Sequence, residues 1–188
     1  MELILASASP RRRELLARFG VPFEIDPADG PEIPPAGADA AHTVTALSAA
    51  KAARTALRHP DGLVIGADTV VELDGAILGK PRDEDDAFRM LQALSGNEHR
   101  VYTGVTLIRG AARLSETEMT RVFFRKMTDA EIRAYIATGE PMDKAGAYGY
   151  QGAAGLFVER IDGDYFNVVG LPLCRLGRML ETMGVSLI

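Results

Sequence analysis

The feature that most restricts the fold of this chain is a continuous apolar run, LVIGA, at residues 63–67. A short run without polar alternation predicts a β-strand that is buried on both faces. Asp68 follows it directly, and the next residues, TVVELDG, are typical of a strand and a hairpin turn rather than of a helix that Asp68 would cap. Because ligands of open α/β sheets bind outside the carboxyl ends of strands, Asp68 is a candidate for a chemical role.

At the N-terminus the sequence LILASASPRRRELL predicts a short strand, a turn and a helix. Ser9 is a favourable N-cap, and the proline after it suits the first helical position. Arg11, Arg12 and Arg13 then add positive charge where free N–H groups already carry positive partial charge. Two interpretations stay open at this point. Either the arginines are solvated, or the helix start, the arginines and the hydroxyls of Ser7 and Ser9 bind an anion such as phosphate.

The remaining sequence alternates helix and strand patterns. Helices are predicted near residues 38–57 and 83–94, after a capping box at Thr128 and from Pro172; strands are predicted at residues 23–25, 101–108 and 114–124, with a hairpin of strands 156–161 and 165–169. Lys51 shares a helix face with core residues, so its amine either reaches solvent or points into a cleft. The glycine-dense segment 143–152 indicates either a close backbone approach or a flexible surface turn.

Composition argues against several classes of protein. The formal net charge of -5, the aromatic content of 6% and the lack of Trp disfavour a nucleic-acid binder. Cys174 is the single cysteine, which excludes an internal disulfide and indicates a reducing compartment, and we expect it to pack as a small apolar side chain. No signal peptide or membrane-spanning run is recognisable, so we expect a soluble, cytoplasmic protein with no membrane partner.

The sequence lacks a Walker-type phosphate loop, a GxSxG elbow and an HExxH motif. What remains is a set of cations, Arg11, Arg12, Arg13, Lys51, Lys80, Arg82 and Lys144, and three carboxylates in loop or strand-end positions, Glu32, Asp68 and Asp143. Such a set suits a nucleoside triphosphate, which carries about three to four negative charges near neutral pH. Carboxylates with Mg2+ could hold the polyphosphate and orient a water molecule, which predicts phosphate-anhydride hydrolysis.

Several motifs, in order along nearly the whole chain, resemble those of the Maf family of nucleotide pyrophosphatases. They are SASPRR from residue 7, GADT from 66, GKPR from 79, LSG from 94, DKAGAYG from 143, QG from 151 and GLPL from 170. The resemblance implies a single domain over residues 1–188. It also implies an α/β fold like that of inosine triphosphate pyrophosphatases, in which a mixed twisted sheet with flanking helices forms two lobes around a cleft, usually in a homodimer. The implied reaction converts a nucleoside triphosphate and water to the monophosphate and pyrophosphate, with Mg2+ or Mn2+.

The resemblance also implies roles for individual residues. Asp68 corresponds to the proton acceptor for the attacking water and, with Glu32, to a metal ligand. The phosphate-binding positions are Ser7, Ser9, Arg12, Lys51 and Lys80, and the positions that mark the branch acting on dTTP and UTP are Arg11, Thr69 and Gln151. Glu32 follows Gly30-Pro31 where the family often has an Asp-Glu pair.

Helix geometry limits how many of the three arginines can contact one phosphate. Successive residues of a helix point about 100 degrees apart, so three adjacent arginines cannot all contact one phosphate. We expect Arg12 to contact phosphate, Arg11 to help select the substrate and Arg13 to be solvated.

Three other functions remain as alternatives. The first is a nucleotide-binding regulator of cell division without useful turnover, since the family is linked to inhibition of septum formation. The second is a single-stranded nucleic-acid binder, which the charge and the few aromatic residues disfavour. The third is a pyrophosphatase for modified purine nucleotides. Asp68 separates the first alternative from an enzyme, because binding needs the cations whereas hydrolysis also needs a base.

Overall fold

A computed structural model describes residues 2–187, and seven strands among them form one mixed sheet. The strands are β1 (Leu3–Leu5), β2 (Glu24–Ile25), β3 (Leu63–Leu73), β4 (Ala76–Leu78), β5 (Glu98–Arg109), β6 (Ala112–Phe124) and β7 (Val158–Asp162). The helices are α1 (Pro10–Ala17), α2 (Ala40–Ala56), α3 (Glu84–Leu94), α4 (Asp129–Ile136), α5 (Tyr165–Val169) and α6 (Leu173–Thr182). No helix of residues 2–187 combines the length and the apolar character that crossing a bilayer requires.

The sheet has the order β2-β1-β3-β5-β6-β7, with β4 paired to β3. Strand β1 is parallel to β2 and to β3, and the other pairs are antiparallel. The α/β class with a mixed sheet and flanking helices is therefore confirmed, as are the predicted helices after Asp83 and Thr128. Both of those residues cap their helices with side-chain acceptors, and Thr128 does so in a capping box.

One edge of β3 is shared by two short strands. Strand β1 pairs with its beginning, from Leu3↔Leu63 to Leu5↔Ile65, and β4 pairs with its end, from Val71↔Leu78 to Leu73↔Ala76. Between them, residues 66–70 of β3 pair with no strand of the described chain on that edge. This interruption, which we call the β3 gap, leaves one edge of β3 without a neighbouring strand in the middle of the sheet.

The two faces of β3 pack against different neighbours, because side chains of a strand alternate between faces. Val64 and Val70 pack with residues of α2. On the other face, Ala67 belongs to a core with α1 and α6, whereas Val71 belongs to a second core with α3 and α4. Asp68 therefore falls on the α2 face, and Thr69 falls at the boundary between the two cores.

Helix α2 is seated on two glycines of the sheet. A Cβ atom added to Gly66 would lie 2.3 Å from the carbonyl oxygen of Ser48, and one added to Gly104 would lie 2.3 Å from that of Val44. Both obstacles are backbone atoms of α2, which cannot rotate away. Glycine at these positions thus sets the depth at which α2, and with it Lys51, lies against β3.

We expect Gly66→Ala to lower the free energy of unfolding by about 1–3 kcal/mol, because the helix must shift to admit the methyl group. Gly177→Ala is the matched control, since Gly177 lies inside α6 and an added Cβ would meet nothing within 4 Å. That substitution should be neutral or stabilising by about 0.4–1 kcal/mol. Urea unfolding measures both, and equal stability of the two variants would contradict the close seating of α2.

The position predicted for Asp68 at a strand end is wrong. Strand β3 continues to Leu73 because residues 64–72 pair with the long antiparallel strand β5, and Asp68 lies in its middle, opposite Gly104. The strand that does end here is β1, the parallel neighbour, at Leu5. Asp68 thus lies beside the β3 gap rather than at the carboxyl end of its own strand.

The strand predicted at residues 165–169 is also wrong, since these residues form helix α5. Their aromatic and β-branched side chains favour a strand, but the helix is capped at both ends. The Asp164 side chain accepts a hydrogen bond from the Phe166 N–H at 2.7 Å, and Gly170, at a φ of 115°, ends the helix in a left-handed conformation. Strand β7 of the predicted hairpin is present and pairs with β6.

Cys174 differs from the prediction as well, because it is exposed rather than packed among apolar side chains. It lies on α6, whose buried residues are Leu176, Met179 and Leu180. The amphipathic spacing of those residues turns Cys174 outward, so its position follows from the helical period rather than from its apolar character.

Candidate active site

The β3 gap opens into a cleft of about 680 Å³. Residues of both core regions line it, including Val169 from the first and Tyr148 from the second. Every site residue predicted from the sequence lines this cleft: Ser7, Ser9, Arg11, Arg12, Glu32, Lys51, Asp68, Thr69, Lys80 and Gln151. Arg13 and Arg82 do not line it, and both are exposed.

Lys51 connects two carboxylates at the base of the cleft. Its Nζ lies 2.6 Å from Oδ1 of Asp68 and 3.0 Å from Oε1 of Glu32. Helix α2 supplies Lys51, and the loop before that helix supplies Glu32. The amine thus points into the cleft rather than to open solvent, which was one of the two alternatives for this side chain.

Asp68 is a buried carboxyl group, with only 6% of its surface exposed. Burial raises the pKa of Asp68 above its ordinary value, whereas the positive charges of Lys51 and Arg12 act in the opposite direction. Burial has the larger effect, so the carboxylate binds a proton more readily than one in water. A base of this kind suits proton abstraction from a nearby water molecule.

Arg12 is held by the protein at four of its five N–H donors. Its Nε donates to the carbonyl oxygen of Gly170 at 2.8 Å, Nη1 donates to Ser7 Oγ at 3.2 Å and to the Ala67 carbonyl at 3.0 Å, and Nη2 donates to Thr69 Oγ1 at 2.9 Å. The Ala67 carbonyl belongs to the β3 gap. Burial lowers the pKa of Arg12, but a guanidinium stays charged in proteins. One N–H remains for a ligand.

The start of α1 differs in one detail from the sequence prediction. Ser9 is the N-cap residue, but its side chain makes no capping hydrogen bond. Instead its backbone N–H donates to Ser7 Oγ at 3.3 Å. Ser7 is therefore fixed from two directions, by this amide and by Arg12.

The opposite wall of the cleft contains charged residues to which the sequence assigned no individual role. Lys144 Nζ donates to Asp143 Oδ1 at 2.6 Å and to the Glu140 carbonyl at 2.8 Å, and this ion pair lowers the pKa of Asp143. Both side chains line the cleft. In the sequence, these two residues could have been found from the DKAG segment, which begins the glycine-dense region.

A backbone hydrogen bond joins the two loops of this wall. The N–H of Gly146 donates to the carbonyl of Gly79 at 3.0 Å. Gly79 precedes Lys80, so the bond ties the Lys80 loop to the segment that carries Gln151.

The cleft offers donors that fit a divalent cation. Glu32 and Asp68 both contact the Lys51 amine, which means that their oxygens converge on one positive charge. Mg2+ commonly uses one or two carboxylates and completes its shell with phosphate oxygens and water, so this pair fits. Among residues 2–187, a compact group of three ligand side chains occurs only at Glu2, Glu24 and His59, none of which lines the cleft.

Comparisons with known proteins agree with the resemblance seen in the sequence. A dTTP/UTP pyrophosphatase of Pelotomaculum thermopropionicum is 50% identical over 189 residues, which span 100% of this chain and 99% of that relative. One of Geobacter metallireducens is 52% identical over 184 residues, which span 97% of this chain and 96% of that relative.

The fold has a solved counterpart in the Ham1 protein of Staphylococcus aureus, at a TM-score of 0.53 and 13% identity, over 97% of this chain and 100% of that one. The model of the Maf-like protein family matches residues 2–183. With a match over almost the whole chain, this protein belongs to the Maf-like protein family.

Proposed function

We propose that this protein hydrolyses dTTP and UTP to the nucleoside monophosphate and pyrophosphate. The observation that carries the proposal is Asp68, a buried carboxylate with a raised pKa at the base of a cleft rimmed by cations. A cleft that only bound nucleotides would need the cations but no base. The names of the relatives at about half identity support the choice of substrates.

In this reaction Asp68 accepts a proton from the attacking water. The oxygen of that water forms a bond to phosphorus, the bond between the α- and β-phosphates breaks, and pyrophosphate leaves with the electron pair. Lys51, at 2.6 Å from Oδ1, holds the carboxylate in one orientation. Its charge also stabilises the negative charge that develops on phosphate oxygens.

Cations around the cleft offset the charge of the polyphosphate. Lys80, from the loop after β4, and Arg11, from α1, both line the cleft. Arg12 offers the remaining N–H of Nη2, whose other hydrogen is donated to Thr69. Because four of its donors already bind protein atoms, Arg12 contributes as much to the shape of the site as to phosphate binding. The start of α1 adds free backbone N–H groups.

A divalent cation, Mg2+ or Mn2+, would be held by Glu32 and Asp68 and would neutralise phosphate charge. One carboxylate oxygen of each residue contacts the Lys51 amine, so the two carboxylates lie close to each other.

Selection among nucleotides is assigned to Arg11, Thr69 and Gln151. Thr69 Oγ1 contacts Arg12 and, at 2.9 Å, Thr103 Oγ1, so its hydroxyl is fixed within the sheet. Gln151 is exposed in the cleft, where its amide can both donate and accept hydrogen bonds to a base. A pyrimidine carrying a carbonyl and an N–H side by side matches that pair of groups.

We also propose that the chain acts as one domain and as a homodimer in the cytoplasm, as the family resemblance implies. Sedimentation equilibrium at micromolar concentration tests the dimer directly.

The proposed activity is tested by pyrophosphate release from UTP, dTTP, CTP, 7-methyl-GTP and ATP, with Mg2+ or Mn2+ and with EDTA. We expect release from UTP and dTTP that EDTA abolishes. Tight binding of UTP without release would refute hydrolysis and favour the nucleotide-binding regulator. A preference for purine nucleotides would refute the assigned branch.

A further inference from the structure

Gln151 lies on a segment that has no regular strand or α-helix to hold it. Residues 148–152 connect two short 3-10 turns, Ala145–Ala147 and Ala153–Leu156. A side chain that selects among nucleotide bases must nevertheless keep a fixed position. The question is which contacts supply that position.

Glu140 and Tyr135 bind the segment on both sides of Gln151. Tyr135 Oη donates to Glu140 Oε1 at 2.8 Å, and the other carboxylate oxygen accepts from the Ala153 N–H at 3.1 Å. The Gly149 N–H donates to Tyr135 Oη at 3.1 Å. One carboxylate and one hydroxyl therefore attach residues 149 and 153 to the end of α4.

The glycines of the segment fit this attachment. A Cβ atom added to Gly152 would lie 2.2 Å from Oε1 and 2.3 Å from Oε2 of Glu140. A side chain at position 152 would therefore displace the Glu140 carboxylate, because the backbone passes directly over it. This answers the question left open by the sequence: the close approach is to a side chain of the protein itself.

Glu140 and Tyr135 do not line the cleft. Tyr135 is buried, at 3% exposure, and packs edge-on against Phe157. Burial raises its pKa, so the phenol keeps its proton and can donate to Glu140 while it accepts from Gly149. The pair can influence a bound nucleotide only through the segment that it holds.

We propose that Glu140, with Tyr135, positions Gln151 and thereby sets the preference for pyrimidine nucleotides. This inference rests on the proposed function and goes beyond it by naming residues outside the cleft that act on specificity. Glu140 is a positioning residue and takes no part in proton transfer.

The test measures dissociation constants for UTP and ATP by calorimetry in EDTA, and uses the ratio of ATP to UTP constants as the readout. The variant Glu140→Gln keeps the size of the side chain but replaces one acceptor oxygen with a donor. It should lower the ratio by about three- to tenfold, as expected for one lost charge-assisted hydrogen bond whose effect is transmitted in part. Tyr135→Phe should act in the same direction.

Glu131→Gln is the matched control. Glu131 caps the start of α4, the helix that contains Tyr135, and it contacts Arg125 and Thr128 rather than the Gln151 segment. It should leave the ratio unchanged, and thermal unfolding of both variants separates lost stability from lost selectivity. In a Gln151→Ala background, Glu140→Gln should change the ratio by less than about twofold, since coupled residues are not additive.

An equal effect of Glu140→Gln with and without Gln151 would overturn the proposal, and so would an equal effect of Glu131→Gln or a wild-type protein that binds UTP and ATP alike. A protein that prefers UTP but releases no pyrophosphate would refute the proposed hydrolysis, whereas the ratio would still decide the role of Glu140.

Discussion

Replacing Asp68 with Asn should slow hydrolysis of UTP and dTTP by roughly 10²–10⁴-fold, the usual contribution of a positioned base. The amide has almost the size of the carboxylate, so the cleft keeps its shape, but it cannot accept a proton from water. Lys51 retains Glu32 as a partner at 3.0 Å, so its charge does not become unpaired. We therefore expect a variant that folds and binds nucleotide but turns over slowly.

The measurement is steady-state pyrophosphate release by wild-type protein and Asp68→Asn, with UTP binding and thermal unfolding as controls. Full activity in the variant would mean that another residue acts as the base. Loss of binding together with activity would assign Asp68 to nucleotide affinity instead.

Asp68 also predicts how stability depends on pH. Its pKa in the folded protein is raised, mainly by burial, so the folded state binds this proton more tightly than the unfolded state does. The contribution of Asp68 to stability is therefore greatest below the ordinary pKa of an aspartate and falls as the pH rises through the raised value. Asn has no such titration. Urea unfolding should be measured from below the ordinary aspartate pKa to above the raised one. As the pH rises, the free energy of unfolding of Asp68→Asn should increase relative to that of the wild-type protein.

The second large effect is expected at Arg12. Arg12→Ala removes four hydrogen bonds and leaves the carbonyls of Ala67 and Gly170 and the hydroxyls of Ser7 and Thr69 without this donor. Since a hydrogen bond to a charged group contributes about 1.5–3 kcal/mol, we expect at least about 3 kcal/mol of lost stability. Turnover should fall sharply, because Ser7 and the β3 gap lose their common anchor.

Arg13→Ala is the control for Arg12→Ala, since it removes the same side chain from the next position of α1, where it is exposed and does not line the cleft. It should leave turnover and stability nearly unchanged. Urea unfolding and pyrophosphate release measure both variants. Equal effects of the two substitutions would contradict the division of roles among the three arginines.

The sequence predicted which residues line the cleft more accurately than it predicted the secondary structure around them. The family resemblance identified the residues that line the cleft, because its ordered motifs contain most of them, including Ser7, Arg12 and Asp68. The family membership inferred from them is confirmed by relatives at about 50% identity. The long strand β6 was also predictable, since polar side chains recur at every second position from Glu116 to Thr120.

Other features depend on contacts between distant segments and were not predictable. The length of β3 is set by its partner β5, and the role of Glu140 depends on Ala153, thirteen positions away. Helix α5 could have been recognised from Asp164 and Gly170, which cap it, although its apolar side chains outweighed those signals in the sequence pattern. No individual role was predicted for Lys144 and Asp143, because their contacts form only when the loop folds.

The β3 gap has a consequence for how such a protein can change over evolutionary time. Asp68 and Thr69 are neighbours in sequence but lie on opposite faces of one strand, and both line the same cleft beside the open edge between β1 and β4. The carboxylate proposed as the base is held by Lys51 of α2, whereas the hydroxyl proposed to select the nucleotide is held by Arg12 and Thr103. On the proposed roles, an exchange at position 69 that keeps an acceptor for Arg12 can change the nucleotide preference while Asp68 and Lys51 stay as they are.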